Sequence, residues 1–197
     1  MLSLLTSKHI DVEIQATPYQ ANGEWPHVIV RLNDLEIHNN KSHSIHVISS
    51  GYRDTVKLEI ELANKLDRHT KLDHQGNIVE NQHVTIDSVV INGVDLVRTR
   101  LIHRVGCYTM NLTENKKQYF ETVGISTAPT TSLSMYENGT WTMNFQQPVL
   151  SYLSALQAQI EPWEQGNWQH LSMEIYKHIE ICKELENQSK AADQDNY

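Results

Sequence analysis

The residues best suited to chemistry stand close together: Asp67, Asp73, Asn77, Glu80 and Asp87, with Gly76 among them. Carboxylate and amide oxygens at that density suit a hard cation. Calcium takes six to eight oxygen ligands, several of them from backbone carbonyls. Asp73, Asn77, Glu80 and Asp87 are therefore the candidate calcium ligands. Their order is not the D-x-[DN]-x-[DN]-G of an EF-hand loop. The same residues also suit a reversal of the chain. Gly76-Asn77 favours a tight turn, and charged side chains keep a hairpin tip in water. From the residues alone both readings stay open.

Other chemistries find less support. The chain has eleven histidines, but only His43 and His46 stand close, three apart. On a strand those positions face opposite sides, which spoils chelation. Cys107 follows His103 by four residues and reads as a small buried hydrophobe. No G-x-S-x-G elbow, phosphate loop or dinucleotide fingerprint occurs, so no enzyme is expected. Flat rings can stack on the apolar face of a pyranose, and Trp25, Trp163, Trp168, Tyr19, Tyr52 and Tyr108 are available. Trp141 alternates with core-like residues and is expected inside.

Bulk properties narrow the partners. The 197 residues carry a formal net charge of -8, with a pI near 5.7 and a mean hydropathy of -0.49. An acidic chain is poorly matched to nucleic-acid phosphates or an anionic membrane. No apolar run is long enough to span a bilayer. The start, "MLSLLTSKHIDVEI", has no basic leader region or small-residue cleavage site. The two cysteines lie far apart, so no disulfide scaffold is expected. These features predict a protein made in a reducing cytosol.

The elements that must position the candidate residues are mostly strands. "HIDVEIQA" alternates, with Ile10, Val12 and Ile14 on one face. "DTVKLEIELANK" points Val56, Leu58, Ile60 and Leu62 one way, and Lys57, Glu59 and Glu61 to water. Val84, Ile86, Ser88 and Val90 are expected to share a side, as are Trp141, Met143 and Phe145. Asn33-Asp34, Asn92-Gly93 and Asn138-Gly139 read as hairpin turns. Residues 97–134 are less regular: "RTRLIHRVGCYTMNL" is compatible with a strand, and the Thr- and Ser-rich stretch over 113–134 reads as a long connection, which inside a compact domain is functional or docked. After Pro148 the pattern turns helical, with Tyr152, Leu153 and Leu156 at 3.6-residue spacing. A second helix carries a heptad-like seam of Trp168, Leu171, Ile175, His178, Cys182 and Leu185, the candidate partner-binding face. The expected organisation is a β-domain over 1–147, a helical extension over 148–190 and a disordered tail over 191–197.

Three segments in order carry a resemblance: "DTVKLEIELANK", "LDHQGNIVENQHVTIDSVVINGVDL" and "NGTWTMNFQQPVLSYLSAL". They resemble small β-sandwich virion-associated proteins of tailed bacteriophages. There a strand ending in Asn-Lys precedes a D-x-x-G-N-I-V turn, a strand to I-x-G-[IV]-[DE], and an N-G-T-W strand that enters an apolar helix. The stretch Val84–Leu96 is also similar to calcium-dependent, xylan-type carbohydrate-binding modules. The resemblance implies a mainly β chain, an antiparallel, jelly-roll-like β-sandwich with a C-terminal helical extension. It implies a non-enzymatic structural part of a virion (tail, neck or baseplate adaptor), assembled in host cytoplasm. Its partners would be other virion proteins and copies of itself. The alternative is a carbohydrate-binding module that attaches to host glycans, with calcium as its one candidate cofactor.

Overall fold

The computed structural model describes residues 9–52, 55–146 and 148–158. They form an antiparallel β-sandwich. The front sheet is ordered β11 (Ser134–Met135), β8 (His83–Ile91), β1 (His9–Tyr19) and β4 (Ile45–Tyr52), with β9 (Val94–Asp95) also paired to β8. The back sheet runs β10 (Gly106–Met110), β12 (Gly139–Gln146), β5 (Thr55–Ala63), β2 (His27–Leu32) and β3 (Leu35–Lys41). A separate hairpin, β6 (Thr70–Leu72) with β7 (Ile78–Asn81), projects from the joint between β5 and β8.

Alternation explains the two sheets. Val56, Leu58, Ile60 and Leu62 of β5 are buried against Ile10, Val12 and Ile14 of β1 within one core. Trp141, Met143 and Phe145 of β12 join them as the spacing predicts, and the Trp141 ring is fully enclosed. The outward side chains of the back sheet pair in water: Arg31 with Glu61 at 2.7 Å, and Lys57 with Glu59 at 2.8 Å. These half-buried pairs at the sheet surface keep the face compatible with water.

Three expectations are corrected. Along β8 the alternation holds through Ile86 and then changes phase. Gln15 pairs with Ser88 and Ala16 with Ile86, which leaves Asp87 without a partner. This β-bulge turns Val89 and Ile91 inward and puts Ser88 and Val90 on the outer side. Asn138-Gly139 is not a hairpin. Neither residue has positive φ, unlike Asn33-Asp34 and Asn92-Gly93, which do form the predicted two-residue turns. Asn138 instead grips the backbone of Lys65, taking its N–H at 2.7 Å and donating to its carbonyl at 2.8 Å. Gly139 is needed for closeness, because a Cβ there would come within 2.4 Å of the Thr109 carbonyl oxygen. Finally, the strand expected near Cys107 is β10, but residues 97–134 also hold two helices, α1 (Ile102–Val105) just before it and α2 (Glu114–Thr122) inside the expected connection. Of α2 only Phe120 is buried, so it has no apolar stripe for a period to reveal.

The predicted helix after Pro148 is α3 (Val149–Ala158), which seats Leu153 in the core and Tyr152 and Leu156 beside it. No helix among the described residues is long and apolar enough to cross a membrane. The seam from Trp168 to Leu185 and the 191–197 tail lie outside the described residues.

Candidate functional site

The predicted calcium ligands are placed as follows. Asp73 and Asn77 meet at the tip of the β6–β7 hairpin. Asp73 Oδ1 accepts the backbone N–H of Gln75 and of Asn77, both at 2.8 Å, and Oδ2 accepts the Asn77 side-chain amide at 3.0 Å. The Asn77 amide is the main reason the Asp73 carboxyl sits below the usual carboxylate range, followed by the Asn77 backbone N–H. Glu80 lies further along β7, where it accepts the Asn22 N–H at 2.9 Å and the Lys71 ammonium at 3.1 Å. Asp87 is the bulge residue on the front sheet and accepts the Thr17 hydroxyl at 2.6 Å.

The structure thus brings together Asp73 and Asn77 and leaves Glu80 and Asp87 in other settings. The donors at the hairpin tip are N–H groups aimed at the carboxylate, the reverse of the oxygen shell that calcium requires. The four residues therefore do not form one shared oxygen shell. Among the described residues no group of three or more His, Cys, Asp or Glu could hold a metal. His103 Nδ1 faces the Thr131 carbonyl oxygen at 3.2 Å, and Cys107 is a half-buried free thiol on β10.

The site with open chemistry lies elsewhere, under α2. Its floor starts where β5 ends. Asn64, at φ 62, turns the chain so that Lys65 points inward. The Lys65 side chain is only 2% exposed. Its ammonium donates to Asn81 Oδ1 at 2.6 Å and to the Tyr136 carbonyl oxygen, with Glu137 Oε1 at 3.8 Å. Burial pushes its pKa down, and the nearby Glu137 carboxylate opposes that shift. From the other side, the buried Tyr108 hydroxyl donates to the Glu137 carbonyl oxygen at 2.6 Å and accepts the Glu137 N–H at 3.2 Å. Its own burial pushes the phenol up to about 12. Residues 136–138 are therefore fixed from both faces.

Over this floor lies α2, with Thr113 at its N-cap position. Lys116 reaches down to Glu137 Oε2 at 2.6 Å and to Asp67 Oδ1 at 3.5 Å. The buried Phe120 ring anchors the helix and lies 5.9 Å from the same ammonium. Its neighbour Tyr119 stays 61% exposed. Between helix and floor is a cleft of about 650 Å³ lined by Asp67, Asn111, Asn115, Lys116, Tyr119 and Glu137, among others. Such a cleft falls in the usual size range for small-ligand sites. Its set of a flat ring, two amides and a carboxylate–ammonium pair matches the stacking and paired hydrogen bonds a sugar offers.

Tyr119, Lys116 and Glu137 carry no motif. The nearest signal is "LTENKKQYF", where Thr followed by Glu is a helix-start pattern, although the Thr113 side chain makes no capping hydrogen bond. Of the rings weighed from the sequence, Trp141 is buried as expected. Tyr108 is also buried, and half-buried Trp25 meets His43 edge-on at 6.1 Å. Tyr19 remains exposed. The Tyr52 side chain, Trp163 and Trp168 lie outside the described residues.

No family model matches the chain, and no curated protein matches it. Among solved structures it is similar to vCBM60 in complex with galactobiose. That match has 14% identity and a TM-score of 0.39, and covers 68% of this chain and 99% of the other. A SeMet form of vCBM60, described with two families of calcium-dependent carbohydrate binding modules, matches at 12% identity and a TM-score of 0.42. It covers 71% of this chain and 97% of the other. Likenesses of this order assign no ligand to this chain.

Proposed function

We propose that the protein is a non-catalytic carbohydrate-binding protein and that the cleft under α2 seats the sugar. The carrying observation is the exposed Tyr119 ring standing over a cleft whose floor is fixed by buried Lys65 and Tyr108. A ring held out on a helix needs little ordering when a ligand arrives, and preorganisation of that kind favours affinity. Binding rather than cleavage suits the carboxylates. A glycosidase sets two carboxyl groups across the scissile bond. Here Glu137 and Asp67 both turn to the Lys116 ammonium. The reading needs no metal. A place in a phage particle would rest on the Trp168–Leu185 seam, outside the described residues.

Affinity electrophoresis against soluble xylan, galactan and β-glucan, followed by calorimetry with oligosaccharides of the polymer that retards the protein, tests this reading. Tyr119→Ala should weaken binding by about tenfold, the scale of one lost aromatic contact. Its melting temperature should not change, because the ring is exposed. No retardation by any polymer, or unchanged affinity in Tyr119→Ala, overturns the proposal.

A further inference from the structure

Among the described residues the two sheets end in the edge strands β11, β4, β10 and β3, and β4 stands apart from the others. β10 is bridged to Thr130: the Tyr108 N–H donates to the Thr130 carbonyl oxygen at 2.7 Å, and the return bond is 3.0 Å. β11 is only two residues long. β3 carries Glu36 and Lys41, and a bulge at Ile37, since Val30 pairs with His38 and Arg31 with Glu36. Short length, charges and bulges are the ways an edge is kept from pairing with another chain. β4 has none of them. Its eight residues, "IHVISSGY", include no lysine, arginine, carboxylate or proline. Its register against β1 runs unbroken from Ile45 to Tyr52.

The hydrogen bonds on the far side of β1 fix which groups of β4 are open. The Asp11 N–H donates to Asn92 Oδ1 at 2.7 Å, and the Asp11 carbonyl oxygen accepts the Asn92 N–H at 2.9 Å. Asp11 therefore turns its backbone groups towards β8. Backbone groups alternate sides along an antiparallel strand, so Ile10, Val12 and Ile14 turn theirs towards β4. Their register partners are Gly51, Ser49 and Val47. The residues between, His46, Ile48 and Ser50, turn both N–H and C=O to the outer edge. The side chains of these three are exposed as well. Ile48, at 70%, is the most exposed large apolar residue of the described chain.

A row of open N–H and C=O groups at every second residue accepts an extended strand and little else. The row is also symmetric about Ile48. A second β4 laid antiparallel, with a two-fold axis at Ile48, sets Ile48 opposite Ile48 of the second copy and His46 opposite Ser50. Each such pair exchanges both backbone hydrogen bonds. The exposed isoleucines meet on one face, and no like charges are brought together, because the strand has none. A two-fold contact of this kind closes on itself and stops at a pair.

We infer that β4 is a self-association edge, and that its occupant is β4 of a second copy of this chain, joining two front sheets into one continuous sheet. The inference goes beyond the carbohydrate reading and does not depend on it. β4 lies at the opposite end of the front sheet from β11, the strand that runs into the cleft floor, so the pair carries two clefts and the contact uses neither.

The test is the mass of the full chain at tens of micromolar by light scattering and sedimentation, with cross-linking to read the register. Wild type should have twice the 22.7 kDa of one chain. Ile48→Lys sets two ammonium groups opposite each other and should weaken the pair by about a hundredfold or more. Its melting temperature at low concentration should stay that of the wild-type monomer, because the side chain is exposed. Ile78→Lys, on the exposed hairpin, should leave the pair intact. In a Cys107→Ser, Cys182→Ser background with a copper oxidant, Ile48→Cys should form a covalent dimer. His46→Cys alone and Ser50→Cys alone should not, and the two together should. A monomeric wild type, a dimer indifferent to Ile48→Lys, or cross-linking by His46→Cys alone overturns the proposal. So does a monomer whose Ile48 and Ser50 amides exchange slowly, since its own residues outside the described set would then cover the edge.

Discussion

The hairpin tip at Asp73–Asn77 and the cleft under α2 draw on the same residue types, with opposite results. Each gathers carboxylates and amides with a lysine close by. At the hairpin tip the acceptors and donors lie within five residues and satisfy one another. The Asp73 carboxylate is engaged by the turn's own N–H groups. In the cleft the work of holding the backbone falls to side chains behind it, Lys65, Tyr108 and Asn138. That frees the groups in front, Tyr119, Asn111 and Asn115, to face solvent. Density of oxygen atoms therefore does not mark a site. What marks it is a floor satisfied from behind and functional groups left open in front.

The largest way to break this contrast is to remove the floor. Lys65→Met keeps most of the side-chain volume but takes the Lys65 donor from the Tyr136 carbonyl oxygen and leaves Asn81 Oδ1 with the Thr70 hydroxyl alone. Breaking a buried charged cluster on one side costs about 3 kcal/mol or more. For a chain of this size that lowers Tm by on the order of 10 °C. Urea unfolding and a thermal melt read it directly, and sugar binding should fall with it. A Lys65→Met protein as stable as wild type would show that the floor is held by something else.

Tyr108→Phe is next, because it removes two hydrogen bonds but keeps the ring. The expected loss is about 2 kcal/mol near neutral pH. The pH dependence separates this floor residue from the other. The Tyr108 pKa is raised to about 12 in the folded protein, from 10. Its stabilisation is complete below pH 10 and is lost as pH climbs from 10 towards 12. The Lys65 shift has the opposite sign. Its folded pKa lies below the ordinary lysine value, so the unfolded chain holds more protons just under that value, and this group's contribution rises with pH there. Urea midpoints between pH 9 and 11 should therefore fall less steeply for Tyr108→Phe than for wild type. Parallel curves would break the assignment.

The same contrast explains what could be read in the sequence. β1, β5 and β12 were legible because buried and solvated side chains alternate without interruption in each. β8 was legible only to Ile86, because nothing in "TIDSVV" distinguishes a bulge at Asp87 from regular pairing. The hairpin at Asp73 drew attention because its parts are contiguous. The cleft did not, because Lys65 and Asn138 meet across 73 positions and α2 buries a single residue. Asn138-Gly139 misled for a related reason. The dipeptide suits a turn, but here the amide is a long-range clamp and the glycine gives room to β10.

The smallest expected effect falls on the hairpin itself, and it discriminates most sharply between turn and metal site. Asp73→Asn keeps an Oδ1 to accept the Gln75 and Asn77 N–H groups, whereas Asp73→Ala removes it. If the carboxylate serves the turn, Asn should be nearly neutral and Ala mildly destabilising. The Asp73 pKa is lowered, so its contribution is present above the ordinary carboxylate range and is lost as pH falls through it. Asp73→Asn should flatten that acid limb. Melting scans with millimolar calcium and with chelator should coincide for wild type and for both variants. A ligand that binds only the folded state stabilises by RT ln(1 + [L]/Kd), so a calcium-dependent rise in Tm that Asp73→Asn and Asp73→Ala both abolish would make the hairpin a metal site after all. It would also erase the distinction drawn between the two regions, because the hairpin oxygens would then be open as well.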